Sequence, residues 1–197
     1  RAPKFPGPIY DKAAENGSRV YQQNCAQCHG TYSNGPNPRL QSFPNRLSPQ
    51  WEIQTDPKRW EAITPEIETR LNQAPTGSLV HVRNTGGYVA PILNSLWATA
   101  PYLHNGSVPT LWDLMNPEQR PTKFQVGGHQ IDLNKIGILL ADSSLETKFY
   151  PKEVHPTSHP EIYDTTTPGK NNKGHEQQFQ NLTINEKRSL LEFLKTL

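Results

Sequence analysis

Cys25-Ala26-Gln27-Cys28-His29 is the stretch on which the reading of this chain turns. Two cysteines three positions apart share one helical turn, and each thiol can add across a vinyl group of one porphyrin, while the histidine after the second cysteine can coordinate the iron. A thioredoxin-like redox pair also uses C-x-x-C, but beside a strand and with no use for a histidine at the next position. A zinc site asks for more cysteines or a paired histidine motif, and Cys25 and Cys28 are the two cysteines in 197 residues. The stretch therefore reads as the attachment site of one covalent haem c, with Cys25 and Cys28 as tethers and His29 as the proximal ligand.

Composition fits a chain that wraps such a group. Hydrophobic residues make up 33% of the sequence, with 19 prolines and 13 glycines, and mean hydropathy is −0.76. A chain of this length buries one good core, but this one is rich in turns and loops, and a porphyrin supplies a large apolar plate for them to pack on. The formal charge of +2 falls close to neutral once two propionates are added. With no Lys/Arg stripe either, nucleic acid is excluded as a partner. No stretch approaches the roughly 18 consecutive apolar residues that span a bilayer, so no transmembrane segment is expected in this chain.

The start, Arg1-Ala2-Pro3-Lys4-Phe5-Pro6-Gly7-Pro8, reads as a linker or trimmed junction over residues 1–10, ahead of one mono-haem domain over 11–197. Haem is attached to C-x-x-C-H on the far side of the bacterial cytoplasmic membrane, so a periplasmic or extracellular location is expected. Residues Asp11 to Asn24 have helical spacing, with Asp11 as the expected cap and Ala13, Gly17, Val20 and Tyr21 recurring. Glycine costs about 1 kcal/mol in a helix interior, so Gly17 beside Tyr21 points to another helix crossing there. Thr183-Ile184-Asn185-Glu186 fits a capping box, and Ile184, Leu190, Leu191, Phe193, Leu194 and Leu197 form the apolar face of the helix that follows. The pairing of Gly17 and Tyr21 with Leu190 and Phe193 resembles the helix crossing of class I cytochromes c. The implied fold is mainly α, class I cytochrome c-like, with long loop insertions.

Between these ends, Asp56-Pro57 and Thr64-Pro65 read as cap and first-turn proline of two short helices, Lys58 to Ile63 and Glu66 to Leu71. Trp51 and Trp60 are expected in the core or the haem wall. Ser107 is the expected cap of a short helix with Leu111, Leu114 and Met115 on its apolar face, ended by Asn116-Pro117. Lys123 to Asp132 reads as a hairpin or loop, and residues 141–172 as one extended loop.

The run Thr99-Ala100-Pro101-Tyr102-Leu103-His104-Asn105-Gly106-Ser107 resembles the C-terminal haem domain of bacterial dihaem cytochrome c peroxidases and, more closely, of dihaem rubber oxygenases. The likeness extends to Gly30-Thr31-Tyr32, Thr55-Asp56-Pro57 and Gly174-His175-Glu176. Those enzymes carry two haem motifs and this chain one, so what it matches is their electron-transfer half. The cytochrome c resemblance further implies that a loop carbonyl beside a proline accepts the second ring N–H of His29, with Pro36 or Pro38 marking the position.

The second axial position decides the function, since a five-coordinate iron binds peroxide or oxygen and a six-coordinate one mainly moves electrons. Met115 is the sole methionine, yet it lies within an apolar face that reads as core. His175 precedes the final helix, where the distal ligand of cytochromes c is found, and the resemblance matches it there. His175 is the expected ligand, with Met115 the alternative, followed by His104 or no ligand. His104 otherwise reads as a structural residue at the Asn105-Gly106 turn or one facing the haem edge or a partner domain. His81, His129, His155 and His159 read as surface groups. Arg46, Tyr32 and Arg39 are candidates for a haem propionate from their position near the motif.

The expected function is single-electron transfer between extracytoplasmic redox partners, or to a fused catalytic domain, at a potential below that of a His/Met site. The alternatives are a haem peroxidase or oxygenase with an open distal site, and a docking domain of a larger redox enzyme.

Overall fold

The computed structural model describes residues 3–126, 130–140 and 161–197. Its frame is two helices from opposite ends of the chain, α1 (Asp11–Asn24) and α8 (Ile184–Leu194). They cross at Gly17, where an added Cβ would lie 1.9 Å from the Ser189 carbonyl oxygen. One turn on, the Tyr21 ring packs on Phe193 with centroids 5.1 Å apart. Tyr21, Leu190, Leu191, Phe193 and Leu194 are all buried. The spacing of apolar residues thus built the crossing that the sequence predicts.

The cap of α1 differs from expectation: Tyr10 is the N-cap and Asp11 the first helical residue, with no side-chain cap. Helix α8 starts as expected, since Thr183 Oγ1 accepts from Glu186 N and the Glu186 carboxylate accepts from Thr183 N at 2.8 Å. Thr183→Ala should cost about 1 kcal/mol of stability, read from the denaturant midpoint. The Thr183 hydroxyl, donating to the Glu186 carboxylate at 2.7 Å, and after it the Thr183 N–H hold the Glu186 pKa below its ordinary 4.5. A depressed folded pKa means that the carboxylate's contribution is present above the unfolded value and lost as pH falls through the folded one.

Six further α-helices are short: α2 (Ala26–His29), α3 (Gln50–Ile53), α4 (Lys58–Glu61), α5 (Pro65–Gln73), α6 (Leu111–Met115) and α7 (Glu176–Phe179). Thr64 caps α5, as its proline at the first turn predicts. Thr110 caps α6, accepting from Asp113 N at 3.0 Å, whereas Ser107, the expected cap, is fully buried ahead of it. Four antiparallel ladders join the loops: β1 (Thr31–Tyr32) with β2 (Leu40–Ser42), β3 (Leu47–Pro49) with β4 (Gly87–Val89), β5 (Lys123–Val126) with β8 (Glu161–Asp164), and β6 (Ile131–Asp132) with β7 (Gly137–Ile138).

The mainly α expectation holds in part: the described residues are 38% helical, with eight α-helices, and the ladders add strands that the expectation lacked. A glycine or proline follows within two residues of α2, α5 and α6, and backbone groups of the connecting segments pair in short strands instead. The ladder of β5 and β8 also corrects the long-loop reading at its C-terminal part. Residues 141–160, and with them His155 and His159, lie outside the described residues, as does His129; His81 is exposed.

Residues 3–10, expected as a linker, lie against the core. Phe5 is buried edge-on to Trp97 at 5.7 Å, Trp97 Nε1 donates to Pro3 O, and Tyr10 N donates to Glu192 at 3.0 Å. Of the two tryptophans expected inside, Trp51 is 74% exposed and Trp60 is half-buried. The position of Trp51 on α3, whose residues are all at least partly exposed, turns its ring outward. Among the described residues, no helix is long and apolar enough to cross a membrane.

Candidate functional site

Helix α2 begins at the end of α1, so the crossing of α1 and α8 fixes where Cys25, Cys28 and His29 stand. All three line a cavity of about 630 Å³, within the roughly 300–1,000 Å³ of cofactor-sized pockets. Its walls are leucines of four segments, including Leu93, Leu103, Leu114 and Leu190, with Met115 and Phe179. No tryptophan is among the lining residues, so the expected indole wall is replaced by aliphatic side chains. Met115, 1% exposed, belongs to the core cluster as well as to this wall.

The His29 ring faces that of His175 across the cavity, with centroids 6.4 Å apart and planes 28° from parallel. Two metal–imidazole bonds of about 2.0 Å each, with the distance from each nitrogen to its ring centre, come to about 6 Å. The centroid spacing of the two rings is close to that sum. His29 Nδ1 donates to the Pro91 carbonyl at 2.8 Å. A carbonyl only accepts, so the proton is on Nδ1 and the Nε2 lone pair is left for a metal. The carbonyl beside a proline is thus Pro91, and not one at Pro36 or Pro38. Burial pushes the His29 pKa down against that bond. It lowers His175 to about 4, the His29 ring and the Arg120 guanidinium adding to it. Both imidazoles are neutral at neutral pH, the form that binds metal.

His175 is held at φ 66°, in the left-handed region, as N-cap of α7. Its N–H donates to Ile53 O at 3.0 Å. Gly174 before it has φ 124°, and a Cβ there would lie 2.4 Å from Thr55 Cγ2. Gly174→Ala combines a disfavoured φ with a clash and should cost about 1–3 kcal/mol, measurable as a fall in denaturant midpoint. On this side of the cavity, His175 Nδ1, Thr55 Oγ1 and Gln178 Oε1 are buried without a hydrogen-bond partner. Unpaired polar atoms beside a wall of leucines are a cost that a packed core avoids and a ligand site carries.

The thiols differ in surroundings. Burial, followed by the nearby Cys28, pushes the Cys25 thiol up to about 12, whereas Cys28 Sγ accepts from Arg46 Nη1 at 3.1 Å. Arg46 also makes a two-pronged bond to Glu52, at 2.9 and 2.8 Å, so its fork is already used beside the cavity. Tyr32 does not line the cavity: its hydroxyl accepts from Leu93 N at 2.9 Å and its ring packs on Tyr21. Arg39 is exposed. Arg59 of α4, not singled out by the sequence, does line the cavity, as does His104, stacked on Tyr88 with centroids 4.9 Å apart. Nothing in the sequence around Arg59 marks it, since its place depends on how α4 is set by the tertiary fold.

Comparisons with known proteins agree with this chemistry. Residues 12–78 match the family model described as cytochrome c oxidase, cbb3-type, subunit III. Residues 87–125 match the one described as RoxA-like, cytochrome c-like. The chain is 28% identical to the uncharacterized protein y4iM of Sinorhizobium fredii, over 98% of this chain and 50% of that protein. It is 36% identical to y4iJ of the same organism, also uncharacterized, over 71% of this chain and 23% of that protein. The chain thus spans half or less of the length of these curated relatives. The family matches support a c-type cytochrome resembling RoxA-like haem domains. They imply a cytochrome c-like fold, covalently bound haem c and a role in electron transfer.

Proposed function

We propose that this c-type cytochrome-like chain is a mono-haem domain that passes single electrons between extracytoplasmic redox partners, with its iron held between His29 and His175. The observation that carries the reading is the facing pair of neutral imidazoles, 6.4 Å apart, in the cavity that also holds both cysteines. A haem bound there would supply reversible one-electron chemistry at the iron. Cys25 and Cys28 would tether it and fix its rotation about the His29 axis. Pro91 O orients the His29 ring and makes it a stronger donor. Leucines and Met115 keep water from the cavity, so that little rearranges around the site when charge changes. Arg59 is the cation best placed to meet a propionate, in preference to Tyr32 or to Arg46 with its fork on Glu52.

Two imidazole ligands favour the ferric state more than imidazole and thioether do, so a potential below that of a His/Met cytochrome is expected. The test is the ferric optical and EPR spectrum of the purified holoprotein, with a haem count by pyridine haemochrome. One haem per chain and a low-spin bis-imidazole signature support the reading. A high-spin, water-bearing ferric centre that coordinates cyanide and peroxide readily would replace it with a peroxidase or oxygenase.

A further inference from the structure

We propose that Arg120 is the positioning residue for His175: its buried guanidinium anchors the backbone that aims this imidazole at His29. The inference rests on the bis-imidazole reading above. It concerns a side chain outside the cavity, between the wall helix α6 and the segment 172–176.

The Arg120 side chain is 2% exposed. Its Nε donates to Asp113 O at 3.1 Å and its Nη2 to Leu114 O at 2.8 Å, both at the C-terminal end of α6. Nη2 donates again to Gly174 O at 3.0 Å. Nη1 donates to the Glu176 carboxylate at 2.9 Å and to Asn172 O. A guanidinium has five N–H donors in a fixed fork, and here each meets an acceptor. Two of these acceptors belong to α6, and three flank His175 on both sides. A lysine offers three donors from a single point and cannot span this set.

The backbone at His175 requires such an anchor. A residue with a Cβ stays at φ 66° only where the surroundings over-determine it. Ile53 O holds the His175 N–H, and the Glu176 carboxylate holds the Gly174 N–H at 2.9 Å, with Arg120 clamping that same carboxylate. The direction of the imidazole therefore follows from a strained turn tied, through one guanidinium, to α6. Because α6 also supplies Leu111, Leu114 and Met115 to the cavity wall, the wall and the distal imidazole keep a fixed relation.

The test compares holoprotein of four kinds: wild type, Arg120→Lys, Glu176→Gln and Thr183→Ala. Thr183 caps α8 at an exposed position and does not line the cavity, so Thr183→Ala weakens the fold at a distance from the site. Ferric spin state by optical and EPR spectra and the midpoint potential are read where circular dichroism shows each protein folded. Wild type is expected fully low-spin. Arg120→Lys should show a high-spin component and a raised potential, Glu176→Gln the same in smaller measure, and Thr183→Ala the wild-type spectrum and potential. If Arg120→Lys does not accumulate folded, Glu176→Gln decides. The inference is overturned if these site variants stay fully low-spin at the wild-type potential, or if Thr183→Ala gives the same high-spin fraction as they do. A high-spin wild type overturns the bis-imidazole reading itself, and the inference with it.

Discussion

In His175→Gly the ferric haem is expected to pass from low-spin to high-spin, to bind cyanide and peroxide, and to rise in midpoint potential by on the order of 0.1 V, within the roughly 0.8 V over which axial ligands tune haem. Glycine is the apt replacement, because the backbone at 175 already has φ 66°. That conformation costs an L-residue roughly 1–2 kcal/mol and glycine almost nothing. The fold then loses little when the imidazole goes, and the spectral change reports on ligation alone. Met115→Leu is the companion measurement. The thioether lies in the cavity wall while His175 is the ring that faces His29, so that variant should keep the wild-type spectrum. Should Met115→Leu turn high-spin and His175→Gly stay low-spin, the assignment of the distal ligand is wrong.

Gly17→Ala is the change expected to damage the fold most. An added Cβ would sit 1.9 Å from Ser189 O and 2.9 Å from Leu190 N, and both are backbone atoms of the facing helix, which cannot rotate out of the way. Separating α1 from α8 would unpack Tyr21 from Phe193 and pull Cys25 and His29 away from the wall that Leu190 and Leu194 build. Overpacking in a tight interface costs about 1–3 kcal/mol, occasionally more. The expected result is a clear fall in denaturant midpoint and lower yield of haem-loaded protein. A midpoint equal to wild type would mean that the helices do not meet at this residue.

The pattern of this site separates what was local in the chain from what was not. Cys25, Cys28 and His29 were legible because the chemistry asks for three side chains on one turn, and one turn is a few residues of sequence. Gly17 and Tyr21, and the capping box at Thr183 with the apolar face after it, were legible because a 3.6-residue period records which side of a helix is buried. His175 was found as a position, from its place before the last helix and from family likeness, while its left-handed backbone and the ring that faces His29 were not visible. The sequence also misjudged Trp51, since an aromatic residue counts as apolar wherever it stands, yet α3 turns its ring to solvent.

The sequence by itself therefore determined that Cys25, Cys28 and His29 share one turn, and the helix crossing that carries them. The tertiary structure alone decided that Pro91, 62 residues from His29, supplies the carbonyl on Nδ1. It decided too that Arg59 reaches the cavity and that Arg120 binds Gly174 O across 54 residues. The physical reason is that each of these is a single contact between segments brought together by packing around a shared apolar cavity. Such a contact leaves no period or spacing in either segment, whereas a helix face or a one-turn motif repeats its constraint along the chain itself.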